Sequence, residues 1–273
     1  MTSWQALLFG VMEGLTEYLP VSSTGHLILT QKLLGIPDSE GVKAFEIVIQ
    51  SGAILAVLGV YAGHVKQLIL GAVGRSPNGM RLLVRLLAAF VPAAALGLML
   101  EKHIDKANLP VVASAWIVGG LAILAVEHWR RKQTPNRGVD IEQLSVYGAI
   151  IIGFMQTLSL CPGVSRSLVC LLGGLVVGLR FMAALEFSFL LGGITLLAAS
   201  GYKAVKYRHE ILHDIPPICL IVGLVAATLA AFATVRWMLR SLERFGLSPF
   251  GWYRIALGIA VFAMLAQGFM AAE

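Results

Sequence analysis

The amino-acid sequence predicts an all-α integral membrane protein with six transmembrane helices plus two re-entrant helix–break–helix pairs in an inverted-topology repeat. Three observations lead to this fold class. The composition is strongly apolar, several apolar segments have the length of membrane spans, and two others are interrupted by similar short motifs in the two halves of the chain.

The composition separates this chain from soluble proteins. Of its 273 residues, 58% are hydrophobic and only 13% are charged, whereas about a quarter of the residues in a soluble domain are charged. A soluble all-helical protein is the alternative, but each of its helices would need a polar face. The net charge of +6 does not require a nucleic-acid partner, because membrane proteins concentrate Lys and Arg in their cytoplasmic loops.

Six apolar segments are long enough to cross a membrane as helices. They cover residues 44–62, 80–100, 110–128, 181–200, 213–235 and 250–270. Two further apolar stretches are broken by Pro, Gly and Ser, which interrupt helices. They are residues 4–34, broken at 19–25, and residues 145–178, broken at 161–167. Such a break at membrane depth is tolerated only where it is buried in protein or lines a wet cavity, so we expect both stretches to be re-entrant pairs.

The two broken stretches also resemble each other. A shift of 143 positions pairs Gly10, Met12, Glu13, Leu15, Val21 and Ser22 with Gly153, Met155, Gln156, Leu158, Val164 and Ser165. We expect the two copies to be inverted, because an odd number of crossings separates them, and inverted repeats with broken helices place a site near the midplane. The chain is therefore predicted to be a single membrane domain, 1–273, with one repeat over about 1–130 and the other over about 144–273.

The distribution of basic residues predicts the orientation of the chain in the membrane. The side that holds the N terminus carries seven Lys and Arg residues, and the other side carries eleven. The seven are Lys32, Lys43, Lys102, Lys106, Lys203, Lys206 and Arg208, and the eleven are Lys66, Arg75, Arg81, Arg130, Arg131, Lys132, Arg137, Arg180, Arg236, Arg240 and Arg244. Because cytoplasmic loops carry the excess of positive charge, both termini should lie outside the cytoplasm.

Two acidic residues lie in the apolar stretch that precedes the first break. Glu13 and Glu17 are four residues apart and therefore share one face of a helix. Ionisable groups at membrane depth are costly and usually functional. Two carboxylates there can hold a divalent cation such as Mg²⁺, which prefers oxygen ligands, or one of them can act as a base. The alternatives are a helix face that meets water and a pair that shares a proton.

A group of hydroxyls and a histidine follows the first break: Ser22, Ser23, Thr24 and His26. Ser or Thr at this position can simply cap the next helix. The start of a helix also presents free N–H groups and a positive dipole end to an anion. His26 lies one turn after Ser23, where it could activate a hydroxyl nucleophile, attack phosphorus itself or protonate a leaving oxygen; packing as a structural histidine is the alternative.

The second break carries an arginine between two serines, Ser165, Arg166 and Ser167. The planar guanidinium matches phosphate oxygens well, although an internal ion pair with Glu13 or Glu17 would also satisfy it. Together the two breaks supply carboxylates, hydroxyls, a histidine and an arginine for an anionic phosphate with a bound metal. These residues alone do not separate hydrolysis from transport.

Two motifs resemble the undecaprenyl-diphosphate phosphatase, or bacitracin-resistance, family. They are residues 13–26 (EGLTEYLPVSSTGH) and residues 162–167 (PGVSRS), and the likeness continues in residues 45–50 and 186–190. The resemblance implies hydrolysis of undecaprenyl diphosphate to undecaprenyl phosphate and inorganic phosphate, which recycles the lipid carrier of peptidoglycan synthesis. It also implies a bacterial inner-membrane location, an active site on the periplasmic side and a divalent cation, Mg²⁺ or Ca²⁺.

The resemblance assigns roles to the residues at matching positions. Its catalytic residues would be Glu17, Ser23, His26 and Arg166, its phosphate-binding residues Ser22, Thr24, Ser165, Arg166 and Ser167, and its metal ligands Glu13 and Glu17. The nucleophile would be Ser23, His26 or water. Cys170 stands where the family usually has threonine, and a thiol is a weaker donor than a hydroxyl. A polyprenyl-phosphate flippase or a paralogue with another lipid phosphate is the alternative function. Besides membrane lipid, a second copy of the chain is a compatible partner, as a homodimer.

Overall fold

A computed structural model describes residues 1–104, 108–132 and 138–269. Lys106 and Arg137, which entered the comparison of loop charges, lie outside these ranges. The described residues form helices and connecting turns, with one isolated bridge between Val139 and Leu179. The helices are α1 Ser3–Thr16, α2 Ser23–Leu33, α3 Glu40–Val60, α4 Ala62–Ala72, α5 Pro77–Ile104, α6 Leu109–Arg131, α7 Val146–Thr157, α8 Arg166–Val176, α9 Phe181–Lys206, α10 Arg208–His213, α11 Pro217–Phe245 and α12 Ser248–Ala266.

Six of these helices are long and apolar enough to cross a membrane: α3, α5, α6, α9, α11 and α12. The number agrees with the sequence prediction, and each helix covers most of one predicted segment. The ends differ by several residues, because polar residues continue the helices beyond the apolar windows, as Glu40 does at the start of α3 and Arg244 near the end of α11. The short helices α4 and α10, each following one span, were not predicted.

The two predicted interruptions are present. Helix α1 ends at Thr16 and α2 begins at Ser23; α7 ends at Thr157, a 3-10 turn follows, and α8 begins at Arg166. We call the connecting residues 17–22 the first break and residues 161–165 the second break. The residue before each resuming helix is a serine with positive φ, 73° at Ser22 and 78° at Ser165. Such a backbone conformation is uncommon outside glycine, and strain of this kind concentrates at functional sites.

Each broken helix pair is held by a long helix from the other half of the chain. Helix α1 packs against α11, where Gly10 faces the carbonyl of Gly223 so closely that an added Cβ would overlap it. Helix α7 packs against α5, where Gly153 meets the backbone of Ala89 in the same way. Gly10 and Gly153 are one of the pairs related by the shift of 143 positions. Close backbone contact at both glycines fixes how α1 and α7 lie against these long helices.

Candidate active site

The centre of the site is an ion pair between the two breaks. Glu17 caps the C terminus of α1, and Arg166 is the first residue of α8. Arg166 Nη2 donates to Glu17 Oε1 at 3.0 Å, although 149 residues separate them in the chain. Both side chains are at least 91% buried. Arg166 thus forms one of the internal ion pairs that the sequence left open for it, with Glu17 as its partner.

Ser23 completes this centre from the first residue of α2. Its hydroxyl donates to Glu17 Oε2 at 2.5 Å, so the carboxylate lies between the hydroxyl and the guanidinium of Arg166. The Arg166 Nη1 atom donates to the carbonyl of Ser188 on α9 at 3.2 Å, while its Nε is buried and has no hydrogen-bond partner in the described part of the chain. A carboxylate that accepts from a serine hydroxyl can take its proton during attack, and the nearby guanidinium can bind phosphate oxygens.

His26 lies one turn after Ser23, but its hydrogen bonds go to other residues. Its Nδ1 donates to the carbonyl of Ser22 at 2.7 Å, because a carbonyl can only accept. The hydroxyl of Tyr253 on α12 lies 2.7 Å from Nε2 and donates to it when the ring is neutral. The ring stacks on Tyr253 and is tilted against Trp116 on α6. Neither of these hydrogen bonds joins His26 to the Ser23 hydroxyl.

Two serines, Ser22 in the first break and Ser165 in the second, cap the helices that follow them. Ser22 and Ser165 each accept a backbone N–H three residues later, both at 3.4 Å. The Ser165 and Ser167 hydroxyls are 3.0 Å apart, and Ser167 also donates to the carbonyl of Leu19 in the first break. Thr24 is exposed, unlike its serine neighbours. Phosphate binding by Ser22, Thr24, Ser165 and Ser167 stays a prediction.

Comparison with known proteins places this geometry in a family. The model of the bacitracin resistance protein BacA matches residues 6–260 of the chain. The chain belongs to the BacA family. It is 46% identical to the undecaprenyl-diphosphatase of Sorangium cellulosum over 94% of this chain and 85% of the relative. It is 43% identical to undecaprenyl-diphosphatase 1 of Chromobacterium violaceum, with 94% of each chain covered, and 42% identical to the undecaprenyl-diphosphatase of Polaromonas naphthalenivorans, with 97% and 95% covered.

In this BacA-family chain, the Cys170 side chain points towards Gln156, in the same half of the chain. Its thiol is buried and donates to Gln156 Oε1 at 3.4 Å, and the same oxygen accepts from Thr195 at 3.3 Å. Gln156 occupies the position that corresponds to Glu13 in the first half. The hydrogen bond at position 170 thus goes to a neutral amide, and what the thiol does to activity stays a prediction.

The surroundings of Glu13 and Glu17, the metal ligands that the sequence suggests, bear on whether they could bind a divalent cation in this BacA-family chain. Glu13 is 1% exposed and lies one helical turn before Glu17, and its Oε1 has no hydrogen-bond partner among the described residues. Glu17, Glu46 and Arg166 are within electrostatic reach of it. No group of three or more His, Cys, Asp and Glu side chains surrounds a metal position in the described part of the chain. The residues fit an ion such as Mg²⁺, which takes few protein carboxylates and fills its shell with water and phosphate oxygens.

An apolar cavity of about 480 Å³ adjoins the first break of this BacA-family site. It is lined by Met12, Leu15, Thr16, Leu19, Val21, Trp237, Ser241, Leu242, Phe245, Gly246, Pro249, Phe250 and Tyr253. Helices α1 and α11 run in the same direction. The cavity is lined by the end of α11 and the start of α12, so it lies past the end of α1, on the side away from the N terminus. Tyr253 belongs both to the cavity wall and to the hydrogen-bond network of His26.

Two side chains of the site were missed by the sequence analysis. Tyr253 and the buried Arg254 come from α12, more than 220 residues after His26. No spacing in the sequence relates them to the breaks. Arg254 had one usable signal, since an arginine inside an apolar span must have a partner in the protein interior.

Proposed function

We propose that the chain hydrolyses undecaprenyl diphosphate to undecaprenyl phosphate and inorganic phosphate, and so contributes to bacitracin resistance. The observation that carries this function is the buried arrangement of Ser23, Glu17 and Arg166 at the meeting point of the two breaks. Relatives that match nearly the whole chain bear the name undecaprenyl-diphosphatase.

The geometry supports a mechanism that begins with attack by Ser23. Its Oγ forms a bond to the terminal phosphorus, the bond from phosphorus to the bridging oxygen breaks, and undecaprenyl phosphate leaves. Glu17 takes the serine proton and passes it to the leaving oxygen. Water then attacks the phosphoserine and loses a proton to Glu17, which returns it to the departing Ser23 oxygen as inorganic phosphate is released. Arg166 and the N termini of α2 and α8 stabilise the charge on the phosphoryl oxygens.

The hydrogen bonds favour Ser23 over His26 as the nucleophile. Ser23 already contacts the carboxylate that would accept its proton. The Nε2 lone pair of His26 is directed at the Tyr253 hydroxyl, which would have to turn away before that nitrogen could attack phosphorus. We assign His26 to proton exchange at the edge of the site. Direct attack by His26 or by water is the competing mechanism.

A divalent cation, Mg²⁺ or Ca²⁺, fits beside this machinery. Glu13 and Glu17 would hold it, and the partnerless Glu13 oxygen supports that assignment. When bound, the ion would neutralise part of the charge of the diphosphate and help to orient it.

The proposed topology places two inverted halves around this centre. The short α1–α2 and α7–α8 pairs are read as re-entrant elements that enter from opposite sides. Their equivalent serines with positive φ and their matching glycine contacts support this reading. On the charge distribution, the N-terminal side faces outward from a bacterial inner membrane, and the diphosphate reaches the site from that side.

The apolar cavity is proposed to take the first isoprene units of the substrate. We expect Ser241→Trp, which fills part of the cavity, to raise the KM for a polyprenyl diphosphate about tenfold, with little change in kcat, because contacts with the tail alone are lost. Ala233→Trp is the matched control, since Ala233 is exposed on the same helix and does not line the cavity. An equal rise in KM for both variants would remove the cavity from the substrate path.

Phosphate release by purified protein in detergent tests the proposed function. Wild-type protein should release inorganic phosphate from a polyprenyl diphosphate, and Arg166→Lys should lower kcat about 10²-fold to 10³-fold, because a lysine cannot bind Glu17 and phosphate oxygens with a planar fork. A flippase without hydrolytic activity would release no phosphate in the absence of a membrane barrier. That result would favour lipid transport as the function.

A further inference from the structure

Arg254 is the most deeply buried charged residue in the described part of the chain. It lies on α12, inside an apolar span, and is 0% exposed. No ion pair joins it to a carboxylate of the described residues. A buried charge normally has a charged partner or a full set of hydrogen bonds. Arg254 has a full set of hydrogen bonds.

Its guanidinium donates five hydrogen bonds, all to backbone carbonyls. The acceptors are Pro20 at 3.0 Å, Val164 at 3.3 Å, Gly163 at 2.9 Å, Ala115 at 2.8 Å and Trp116 at 3.3 Å. One acceptor belongs to the first break, two belong to the second break, and two belong to α6. Interrupted helices leave carbonyls without helical partners, and these cannot turn to water at membrane depth.

These acceptors lie close in sequence to the reacting groups. Pro20 lies between Glu17 and Ser23, and Val164 precedes the Ser165–Arg166 step. Arg254 Nη1 contacts Pro20 and Val164 at the same time. One nitrogen atom therefore links the backbones of the two breaks directly.

The surroundings of Arg254 are shaped to hold it in place. Gly119 on α6 lies against the guanidinium, and an added Cβ there would overlap it. The indole of Trp116 donates to the carbonyl of Val21 at 2.9 Å, which ties the first break to the same helix. Helix α6 and Arg254 thus form a common support for both breaks.

We propose that Arg254 is a positioning residue of the phosphatase centre, holding the two breaks at the separation at which Arg166 meets Glu17 and Ser23. This inference rests on the proposed function for its kinetic consequence. Arginine is required because its planar fork offers five donors in fixed directions, whereas lysine carries the same charge as a compact group with three donors. The contribution of Arg254 is geometric, so a residue with the same positive charge but a different shape will not replace it.

The first test compares Arg254→Lys and Arg254→Met in phosphate release from a polyprenyl diphosphate. We expect both to lower kcat on the order of 10²-fold, since small misplacements of catalytic groups have effects of that size, and to change KM less than about threefold. Combining Arg254→Lys with Arg166→Lys should give a rate close to that of Arg166→Lys alone, because the residues act through one arrangement. A wild-type kcat in Arg254→Lys, or fully multiplicative effects, would overturn the proposal.

The second test is independent of turnover. Hydrogen–deuterium exchange in detergent should be faster in Arg254→Lys than in the wild type over residues 17–26 and 161–168, and unchanged over α9. Unchanged exchange in both breaks would refute the positioning role, whatever the activity of the wild-type protein. Absence of phosphate release by the wild-type protein would refute the proposed function, and it is a separate result. If Arg254→Lys does not fold, Gly119→Ala keeps the arginine and displaces its guanidinium, with Gly59→Ala as the control because open space surrounds Gly59.

Discussion

Ser23→Ala is expected to lower phosphate release from a polyprenyl diphosphate by more than about 10³-fold. The change removes the only hydroxyl that donates to Glu17 in the described part of the site, and loss of a nucleophile removes nearly all catalysis beyond binding and charge stabilisation. Stability should change little, because alanine fits the same space and Arg166 still pairs with Glu17. The measurement is kcat for purified protein in detergent.

The same variant identifies the nucleophile. Wild-type protein quenched during turnover of substrate labelled in the terminal phosphate should carry the label on Ser23, and Ser23→Ala should carry none. Ser114→Ala is the matched control, since Ser114 is an exposed serine on α6 that bonds only to a carbonyl of its own helix. Label recovered on His26, or an unchanged kcat in Ser23→Ala, would assign the attack to another group.

Glu17→Gln should reduce kcat by about 10³-fold or more, because a primary amide cannot accept the serine proton. The amide keeps nearly the same shape, yet it leaves the buried charge of Arg166 without an ionic partner, and breaking a buried pair typically costs about 3–5 kcal/mol of stability. Thermal unfolding in detergent should therefore shift to lower temperature. A stopped assay for released phosphate and a melting curve on the same preparation measure the two effects.

Glu17→Asp separates the two effects of that change. It keeps the carboxylate and a partner for Arg166, but withdraws the oxygens from Ser23 by one methylene. We expect most of the stability to return and kcat to stay at least about tenfold below wild type. A Glu17→Gln protein with wild-type kcat would show that Glu17 is structural and that the proton goes to another acceptor.

Much of the fold could be predicted from the sequence because the membrane simplifies the problem. A span must be about 20 apolar residues long, so the six long helices were visible in hydropathy alone. The breaks were visible as well, since Pro20 and Pro162 interrupt apolar stretches. The short helices α4 and α10 carry mixed polar and apolar residues and gave no comparable signal.

The site could be predicted only in part. The meeting of Glu17 with Arg166 followed from the need of each buried charge for a partner. The partners of His26 did not follow, because Tyr253 reaches it through the packing of α12 against α6, which no local pattern encodes. The sequence left open whether His26 or Glu17 takes the Ser23 proton. In the structure the Ser23 hydroxyl donates to Glu17.

The difference between Glu13 and Gln156 bears on how many lipids one chain can process. Glu13 and Glu17 lie in the first half and Arg166 lies in the second. Gln156, at the position that corresponds to Glu13, accepts hydrogen bonds from Cys170 and Thr195. On the proposed mechanism, the described residues form one reaction centre from unlike parts of the two halves, and pairing two chains would add a second centre without completing the first.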